Sequence, residues 1–216
     1  MPQKIFDITH TLTSKIAMWP GSDQPQLNRV MSIKDGEVCN LTELALSAHT
    51  GTHLDAPLHF IDDGDPVEDL DLNTLIGPAQ VIEFPADIDM ISLSDIESAG
   101  IDESTTRLII KTRNSAKWED DPTTFNEDYV AIAPEAAKWI VARGIKLVGI
   151  DHLSVAPFRE DYLVETHVIL LGAGVIAVEG LRLAEIEPGK YQLICLPPKL
   201  EGSDGAPCRA VLIPEE

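Results

Sequence analysis

The chain has 216 residues, of which 44% are hydrophobic and 24% are charged, and this composition predicts one globular domain over residues 1–216 with a sizeable core. Its 36 acidic and 16 basic residues give a net charge of -20, which argues against binding to nucleic acids or anionic membranes because such a surface repels phosphate groups. No apolar run is long enough to span a membrane, and the N-terminus lacks the pattern of a signal peptide. The three cysteines contain no CxxC pair, which is typical of a protein in a reducing compartment. These features together predict a cytoplasmic protein.

Strand-like runs of β-branched and aliphatic residues recur along the whole chain. In chain order they are IFDITHTL, TELALSAH, AQVIEF, RLIIKT, KLVGID, HVILL, YQLICLP and RAVLI. Each run is short and lies between turn-forming residues, which is typical of β-strands. Many strands with few helices, in mixed order, predict an α/β domain with a mixed, strongly curved sheet and peripheral helices.

Two helices are predicted from their terminal residues. The segment Ser94–Glu97 has the pattern of a capping box at a helix start, and Gly100 follows as a stop. Pro134 can begin a second helix through AAKWIVAR, with Gly144 at its C-terminal end. The polar stretch between Thr112 and Asn126 predicts a long loop, which could serve as a lid or as an arm in an oligomer.

The segment His49–His59, HTGTHLDAPLH, contains three of the six histidines of the chain. His49, Gly51, His53 and Asp55 are alternate residues, and alternate side chains of an extended backbone point to the same side. The two histidines and the aspartate can therefore converge, and we expect the glycine to leave space between them. Two imidazoles and a carboxylate form a ligand set for zinc or a similar divalent ion.

His59, the third histidine of this segment, follows Pro57 by two positions. Once the chain turns at the proline, the imidazole can lie beside the metal without binding it. An unligated imidazole titrates near neutral pH and can carry protons during a reaction. The alternative interpretation of the segment is a polar loop whose histidines are only hydrogen-bonded.

Other patterns in the chain favour ordinary structural roles. The run LGAGVIA is close to a dinucleotide-binding fingerprint, but the β-branched residues after it do not favour the helix that such a site needs. The acidic run DDGDPVEDLD, which begins at Asp62, lacks the ligand spacing of an EF-hand. Ser47 and Ser154 lack the G-x-S-x-G context of a serine nucleophile.

The segment HTGTHLDAPLH resembles H-x-G-T-H-x-D-x-P-x-H, the signature of the cyclase-type metal-dependent hydrolases, a family that includes the bacterial kynurenine formamidases (arylformamidases). DITHTLTSKIAMWPG resembles the family's opening strand and Trp-Pro-Gly turn, and GKYQLICLPPKLEGSDGAPCRAVLI resembles its closing strands. The resemblance covers most of the chain and is weakest at residues 85–130. It implies a swivelling β/β/α fold and a homodimer or homotetramer.

The resemblance also implies two divalent metal ions per subunit, zinc or manganese. His49, His53 and Asp55 match the first ligand group, and the aspartate would also reach the second ion. His167 and Glu179, twelve residues apart, match the remaining ligands of the second ion. The residues alone leave this second pair open, because His167 could be a core histidine before a strand and an arginine could neutralise a buried Glu179.

The implied activity is metal-dependent hydrolysis of a small aromatic amide such as N-formyl-L-kynurenine, with release of formate, as in tryptophan catabolism. His59 matches the family's acid/base histidine, and Trp19 matches an aromatic residue that lines the substrate pocket. Three positions depart from the family pattern, namely Ser22, Thr166 and His152, and the last could face the pocket or have a structural role. These departures leave two alternatives open, hydrolysis of an isatin-type cyclic amide or a lactone, and a non-catalytic metal-binding protein.

Overall fold

The computed structural model describes residues 4–215. Its strands are, in chain order, β1 (Phe6–Asp7), β2 (Gln26–Met31), β3 (Leu41–Ala45), β4 (His53–Asp55), β5 (Ile76–Glu83), β6 (Arg107–Lys111), β7 (Leu147–Ile150), β8 (Ile176–Glu179), β9 (Gly189–Leu196), β10 (Gly205–Pro207) and β11 (Arg209–Pro214). Its α-helices are α1 (Leu72–Leu75), α2 (Leu93–Ser98), α3 (Asn114–Asp120), α4 (Pro134–Ala142) and α5 (Glu160–Gly172). Short 3-10 turns lie at Ile33–Asp35, Pro57–His59 and Val67–Asp69.

Nine strands form one curled, mixed sheet in the order β1-β11-β9-β5-β6-β7-β8-β4-β10. The four central strands β5 to β8 are parallel to one another, and the pairings outside them are antiparallel. Among the described residues, strands β2 and β3 pair only with each other and form a separate hairpin. The predicted α/β domain with a mixed, curved sheet and peripheral helices is confirmed.

Both faces of the central sheet are covered by apolar side chains. On β6, Leu108 and Ile110 pack with the helices α2, α4 and α5, whereas Ile109 between them packs into a second core on the opposite face. This alternation follows from the two-residue period of a strand, and burial on both faces explains why RLIIK reads as an unbroken apolar run. Within residues 4–215, no helix is long and apolar enough to cross a membrane.

Seven of the eight predicted strand runs contain a strand, but the prediction for HVILL is wrong. These residues lie in α5, where Val168 is exposed while Leu170 and Leu171 are buried. A run of five apolar residues fits a buried helix turn as well as a strand, so the sequence pattern could not separate them. The helix is followed by β8, which is the reverse of the strand-to-helix order that a dinucleotide-binding fingerprint requires.

The two predicted helices are present as α2 and α4, but the capping box of α2 lies two residues earlier than expected. Ser92 is the N-cap, and its hydroxyl and the Asp95 carboxylate form the reciprocal capping hydrogen bonds. Pro134 occupies the first turn of α4, and Gly144 follows that helix with a positive φ of 77°, as predicted.

The polar stretch 112–126 is only partly a loop, because it contains α3. The buried carboxylate of Asp151 accepts hydrogen bonds from the backbone N–H groups of Thr112 and Ser115 and from both of their hydroxyls. These bonds satisfy donors at the helix start that would otherwise be unpaired. The partner comes from the end of β7, so the local sequence gave no sign of this helix.

Candidate metal centre and active site

Strand β4 forms the floor of the site. It pairs with β8 on one side and β10 on the other, and His53 lies directly opposite Glu179 in the antiparallel register. Asp55, two residues along β4, points to the same side, as alternate strand residues do. Helix α5 brings His167 to this point, and His49 reaches it from the turn before β4. The structure thus brings together all five residues that the sequence predicted as ligands.

Four of these side chains form a tight buried cluster. His53 Nε2 lies 3.3 Å from Glu179 Oε2 and 3.6 Å from Asp55 Oδ1. His167 Nε2 lies 3.4 Å from Glu179 Oε1 and 3.8 Å from Asp55 Oδ2. Each of the four side chains is at most 4% exposed to solvent. Two carboxylates with so little access to water need a compensating positive charge.

The two buried histidines are oriented by carbonyl groups on their far sides. His53 Nδ1 lies 2.9 Å from the carbonyl oxygen of Gly51, and His167 Nδ1 lies 2.7 Å from that of Leu163. A carbonyl oxygen only accepts hydrogen bonds, so each Nδ1 carries the hydrogen and each Nε2 faces the carboxylates. In the neutral form each Nε2 points a lone pair at those oxygens.

A divalent cation fits this arrangement of acceptors. Within the described part of the chain, His53 Nε2 and Asp55 Oδ2 are buried without a hydrogen-bond partner. An imidazole nitrogen and carboxylate oxygens are ligands that zinc and manganese accept. The pKa of His167 reflects the negative charge of the nearby carboxylates. Burial alone would lower the pKa of His167, but the adjacent Glu179 carboxylate raises it overall.

A second cluster lies on the more open side of Asp55. His49 Nδ1 is 2.8 Å from Asp55 Oδ1, and His49 Nε2 is 2.8 Å from Asp204 Oδ2. The same Asp204 oxygen lies 3.1 Å from His59 Nδ1. The rings of His49 and His59 are stacked, with their centroids 4.0 Å apart. Burial lowers the pKa of His49, but the two carboxylates outweigh it and raise the pKa to about 9.

Possible ligand atoms therefore form two groups that share Asp55, one with His49 and His59 and the other with His53 and Glu179. All ligand atoms within each group lie within 4.8 Å of one another. Asp55 belongs to both groups, as the family resemblance implies, but the groups differ from the implied ones, because His53 lies with Glu179 rather than with His49 and His167 is in neither group. The geometry also places His59 where it could bind a metal, so its predicted role as a proton carrier needs a direct test.

Asp204 contacts two histidines of this site, although the sequence did not single it out. It lies in the segment SDGAP, just before β10, and β10 pairs with β4 so that Gly205 is the register partner of Asp55. That pairing carries the Asp204 carboxylate to the two histidines. The segment SDGAP resembles the family's closing strands, which indicated that the segment belongs to the shared fold. That resemblance did not assign a role to Asp204.

The expected role of Gly51 is wrong in detail. The backbone is not extended from His49 to Asp55, because Gly51 has a left-handed φ of 62° and turns the chain before β4 begins. A Cβ atom at Gly51 would lie 2.6 Å from Leu12 Cδ2, so the space beside the glycine is filled. Glycine is needed there for the turn and for this close packing.

A cavity of about 260 Å³ opens over both clusters. Its polar side is formed by the histidines and Glu179, and the remaining wall is formed by Trp19, Ser22, Ser47, Phe60, Leu153, Ser154 and Leu163. Trp19 makes edge-to-face contacts with Phe125 and Phe158, with ring centroids 5.1 and 5.2 Å away. Trp19 therefore lines the cavity together with Phe60, which was not expected there.

His152 does not line this cavity. Its ring is 4% exposed and stacks on Tyr129, with centroids 3.7 Å apart and an angle of 11° between the planes. Burial lowers the pKa of His152 to about 3, which keeps the ring neutral at physiological pH. Of the two roles considered for this residue, the geometry favours the structural one.

Residues 6–157, which are more than half of the chain, match the sequence family described as "Putative cyclase". The chain belongs to the cyclase family. A relative in this family, cyclase-like protein 1 of Arabidopsis thaliana, is 39% identical over 219 residues, which cover 97% of this chain and 85% of the plant protein.

Solved structures share the cyclase fold. A protein described as a "potential metal-dependent hydrolase with cyclase activity" has 31% sequence identity and a TM-score of 0.84, with 99% of both chains covered. Isatin hydrolase A of Labrenzia aggregata, at 22% identity, has a TM-score of 0.80 and covers 99% of this chain and 94% of its own. At that identity the second likeness establishes the fold alone. The cyclase family and its metal-dependent hydrolase fold are thus shown for this chain.

Proposed function

We propose that this cyclase is a metal-dependent hydrolase of small aromatic amides, and that it acts as an arylformamidase that releases formate from N-formyl-L-kynurenine or a similar arylformamide. The observation that carries the proposal is the pair of fixed Nε2 atoms, on His53 and His167, that face two buried carboxylates at the base of an aromatic-walled cavity. Such a site has the acceptors for a cation and the space for a substrate beside them.

The residues that would hold the metal follow from the two clusters. We propose two zinc or manganese ions per subunit, bound by His49, His53, Asp55, His167 and Glu179, with Asp55 shared. When bound, such ions polarise a carbonyl group and lower the pKa of water toward ~7, so that hydrolysis can proceed at neutral pH.

The remaining steps belong to side chains of the cavity. Asp204 occupies Nδ1 of His59, which leaves Nε2 as the atom that transfers a proton. We propose that His59 Nε2 accepts a proton from the attacking water and then gives it to the leaving nitrogen of the amide, a contribution typically on the order of 10²–10⁴-fold. Trp19 would pack against the aromatic ring of the substrate, and its neighbours Phe125 and Phe158 hold it in position.

The second candidate substrate class is a cyclic amide of the isatin type, or a lactone. Isatin hydrolase A has the same fold, and opening a cyclic amide requires the same attack on a carbonyl carbon. The two classes differ in the fate of the leaving group, which stays attached when a ring opens. The small cavity suits a single fused or monocyclic aromatic ligand in both cases.

The proposal also includes a second copy of the chain as a partner, in a homodimer or homotetramer, and a cytoplasmic location. Support for the oligomer comes from the β2–β3 hairpin, whose two strands are exposed along almost their entire length. Leu27, Val30, Leu41 and Leu44 are among its exposed apolar residues. A two-stranded hairpin without a covered face is only marginally stable in water, and exposed apolar patches are typical of interfaces.

The function is tested by a hydrolysis screen with the metal-free protein and with the same protein loaded with zinc or manganese. The panel contains N-formyl-L-kynurenine, formanilide, isatin and an aromatic lactone. We expect metal-dependent release of formate from the first two compounds. Turnover of isatin or the lactone alone would replace the arylformamidase proposal with the second candidate, and metal binding without any turnover would favour a non-catalytic protein.

A further inference from the structure

One oxygen of Asp204 contacts two imidazole rings at once. Its Oδ2 lies 2.8 Å from His49 Nε2 and 3.1 Å from His59 Nδ1, and these rings are stacked on each other. The aspartate is anchored through its backbone, because its carbonyl oxygen accepts a hydrogen bond from Ala56 N–H at 2.9 Å. The position of the carboxylate is therefore tied to the end of β4, the strand that carries His53 and Asp55.

The contact with His49 divides the two nitrogens of that ring between different partners. Because a carboxylate only accepts hydrogen bonds, Nε2 must carry the hydrogen that it donates to Asp204. Nδ1 donates to Asp55 Oδ1 in the same way, at 2.8 Å. A cation held by Asp55 would replace this second hydrogen, so Nδ1 is the nitrogen that would bind the cation while Nε2 stays bonded to Asp204. Metal-binding histidines commonly donate their other N–H to a carboxylate, which fixes the ring and increases its basicity as a ligand.

The contact with His59 fixes the opposite nitrogen. Here Nδ1 carries the hydrogen that is donated to Asp204, and Nε2 is left for proton transfer in the cavity. One carboxylate oxygen thus selects the Nε2–H form of one histidine and the Nδ1–H form of its stacked neighbour. Neither selection would follow from the histidines alone, since both forms of a free imidazole are accessible.

The backbone beside Asp204 restricts His49 further. A Cβ atom at Gly205 would lie 2.7 Å from His49 Cε1 and 2.8 Å from the carbonyl oxygen of Leu54. The ring of His49 therefore packs directly on the backbone of β10, with Asp204 at one nitrogen, Asp55 at the other and His59 on its face. Loss of the Asp204 carboxylate would therefore remove the hydrogen bond at His49 Nε2 but leave the packing of the His49 ring unchanged.

We propose that Asp204 is a positioning residue that orients His49 for metal binding and His59 for proton transfer through a single carboxylate oxygen. The part that concerns His59 rests on the proposed hydrolase function, whereas the part that concerns His49 requires only that a metal binds. The two parts can therefore fail separately.

The first experiment measures zinc affinity by competition with a chelator for the wild type, Asp204→Asn, Asp204→Glu and the control Glu201→Gln. Glu201 is an exposed acid in the same loop, so its replacement changes the net charge by the same amount. We expect Asp204→Asn to weaken zinc binding by about 10–100-fold, with partial recovery in Asp204→Glu and no change in the control. An unchanged affinity in Asp204→Asn would overturn the role at His49.

The second part is measured as kcat at saturating zinc on whichever amide the wild type hydrolyses. We expect Asp204→Asn to have a lower kcat than the wild type even when both proteins are fully loaded with zinc, with little change in KM. If the wild type binds zinc but hydrolyses no compound in the panel, the proposed function fails while the affinity result still decides the role at His49. If kcat of the fully loaded variant equals that of the wild type, the role at His59 is wrong.

A measurement on the zinc-loaded wild type avoids any dependence on how the variants fold. Long-range nitrogen–proton correlation spectra distinguish the two forms of each imidazole. We expect His49 with hydrogen on Nε2 and His59 with hydrogen on Nδ1. The opposite form at either ring would contradict the corresponding half of the proposal.

Discussion

His53 and Glu179 are register partners on neighbouring antiparallel strands, and their side chains meet with 3.3 Å between Nε2 and Oε2. The backbone ladder of β4 and β8 fixes this pair, so the site does not depend on flexible loops for its deepest contact. Glu179 is held on its other side by the backbone N–H of Val155, which donates to Oε1 at 2.7 Å. Both oxygens of the Glu179 carboxylate are therefore held by neighbouring groups.

Replacement of His59 by alanine separates its two possible roles. We expect His59→Ala to retain the metal content of the wild type and to lower kcat by about 10²–10⁴-fold, the usual contribution of a general acid. The measurements are elemental analysis of the loaded protein and initial rates on N-formyl-L-kynurenine. Loss of one metal equivalent would instead assign His59 as a ligand, as its place beside His49 and Asp55 allows. Full activity would exclude both roles.

Trp19 should act on substrate binding rather than on the chemical step. We expect Trp19→Ala to raise KM for aromatic amides by about tenfold, because an aromatic contact is worth about 0.5–1.5 kcal/mol beyond the area it buries. Trp19→Phe should recover most of this loss, and kcat should change little in either variant. A matched aliphatic formamide serves as the control substrate, and an equal effect of Trp19→Ala on both substrates would contradict aromatic recognition.

His152 should make the stability of the fold depend on pH. Its pKa is lowered to about 3 by burial, so between pH 6.5 and 3 the unfolded chain takes up a proton that the folded chain does not. The neutral ring therefore contributes fully to the free energy of unfolding above pH 6.5. This contribution is lost as the pH falls, and the loss amounts to about 2 kcal/mol at pH 5.

The variant His152→Phe tests this, because phenylalanine can keep the stacking on Tyr129 without titrating. We expect the wild type to lose about 2 kcal/mol more of its unfolding free energy between pH 7 and pH 5 than the variant does. Urea titrations in the presence of a chelator measure this and remove any contribution from metal binding. Equal losses in the two proteins would show that His152 is not buried in its neutral form.

The hairpin prediction compares two leucines of equal exposure. Leu44 on β3 and Leu72 on α1 are each 62% exposed. We expect the wild type to be a dimer or tetramer by light scattering, Leu44→Lys to shift it toward the monomer, and Leu72→Lys to leave it unchanged. A monomeric wild type at micromolar concentration, or equal effects of the two substitutions, would contradict the hairpin interface.

Local sequence patterns predicted much of the sheet and the part of the site that lies in the segment His49–His59. The pair His53 and Asp55 could be placed on one face because the two-residue period of a strand requires no tertiary information. Pro134 likewise marked a helix start through its own backbone geometry. The curved α/β architecture followed from the order of such elements.

The parts that could not be predicted depend on contacts between distant segments. Asp204 lies 155 residues from His49 in the chain and reaches it only because β10 pairs with β4. His167 was expected before a strand, whereas its helix lets Nδ1 bond to the carbonyl oxygen of Leu163, one turn earlier. That bond, which aims Nε2 at the carboxylates, joins residues that a helix places one turn apart. The family resemblance identified the residue but not the reason for its orientation.

We expect the two buried carboxylates and the histidines facing them to bind divalent metal. The most direct test is the number of zinc or manganese ions per chain after loading and desalting, measured by elemental analysis for the wild type, Glu179→Gln and the exposed control Glu185→Gln. We predict two ions per chain in the wild type and in the control, and a loss of metal in Glu179→Gln. A wild type that retains no metal, or a Glu179→Gln variant that retains all of it, would contradict metal binding by this cluster.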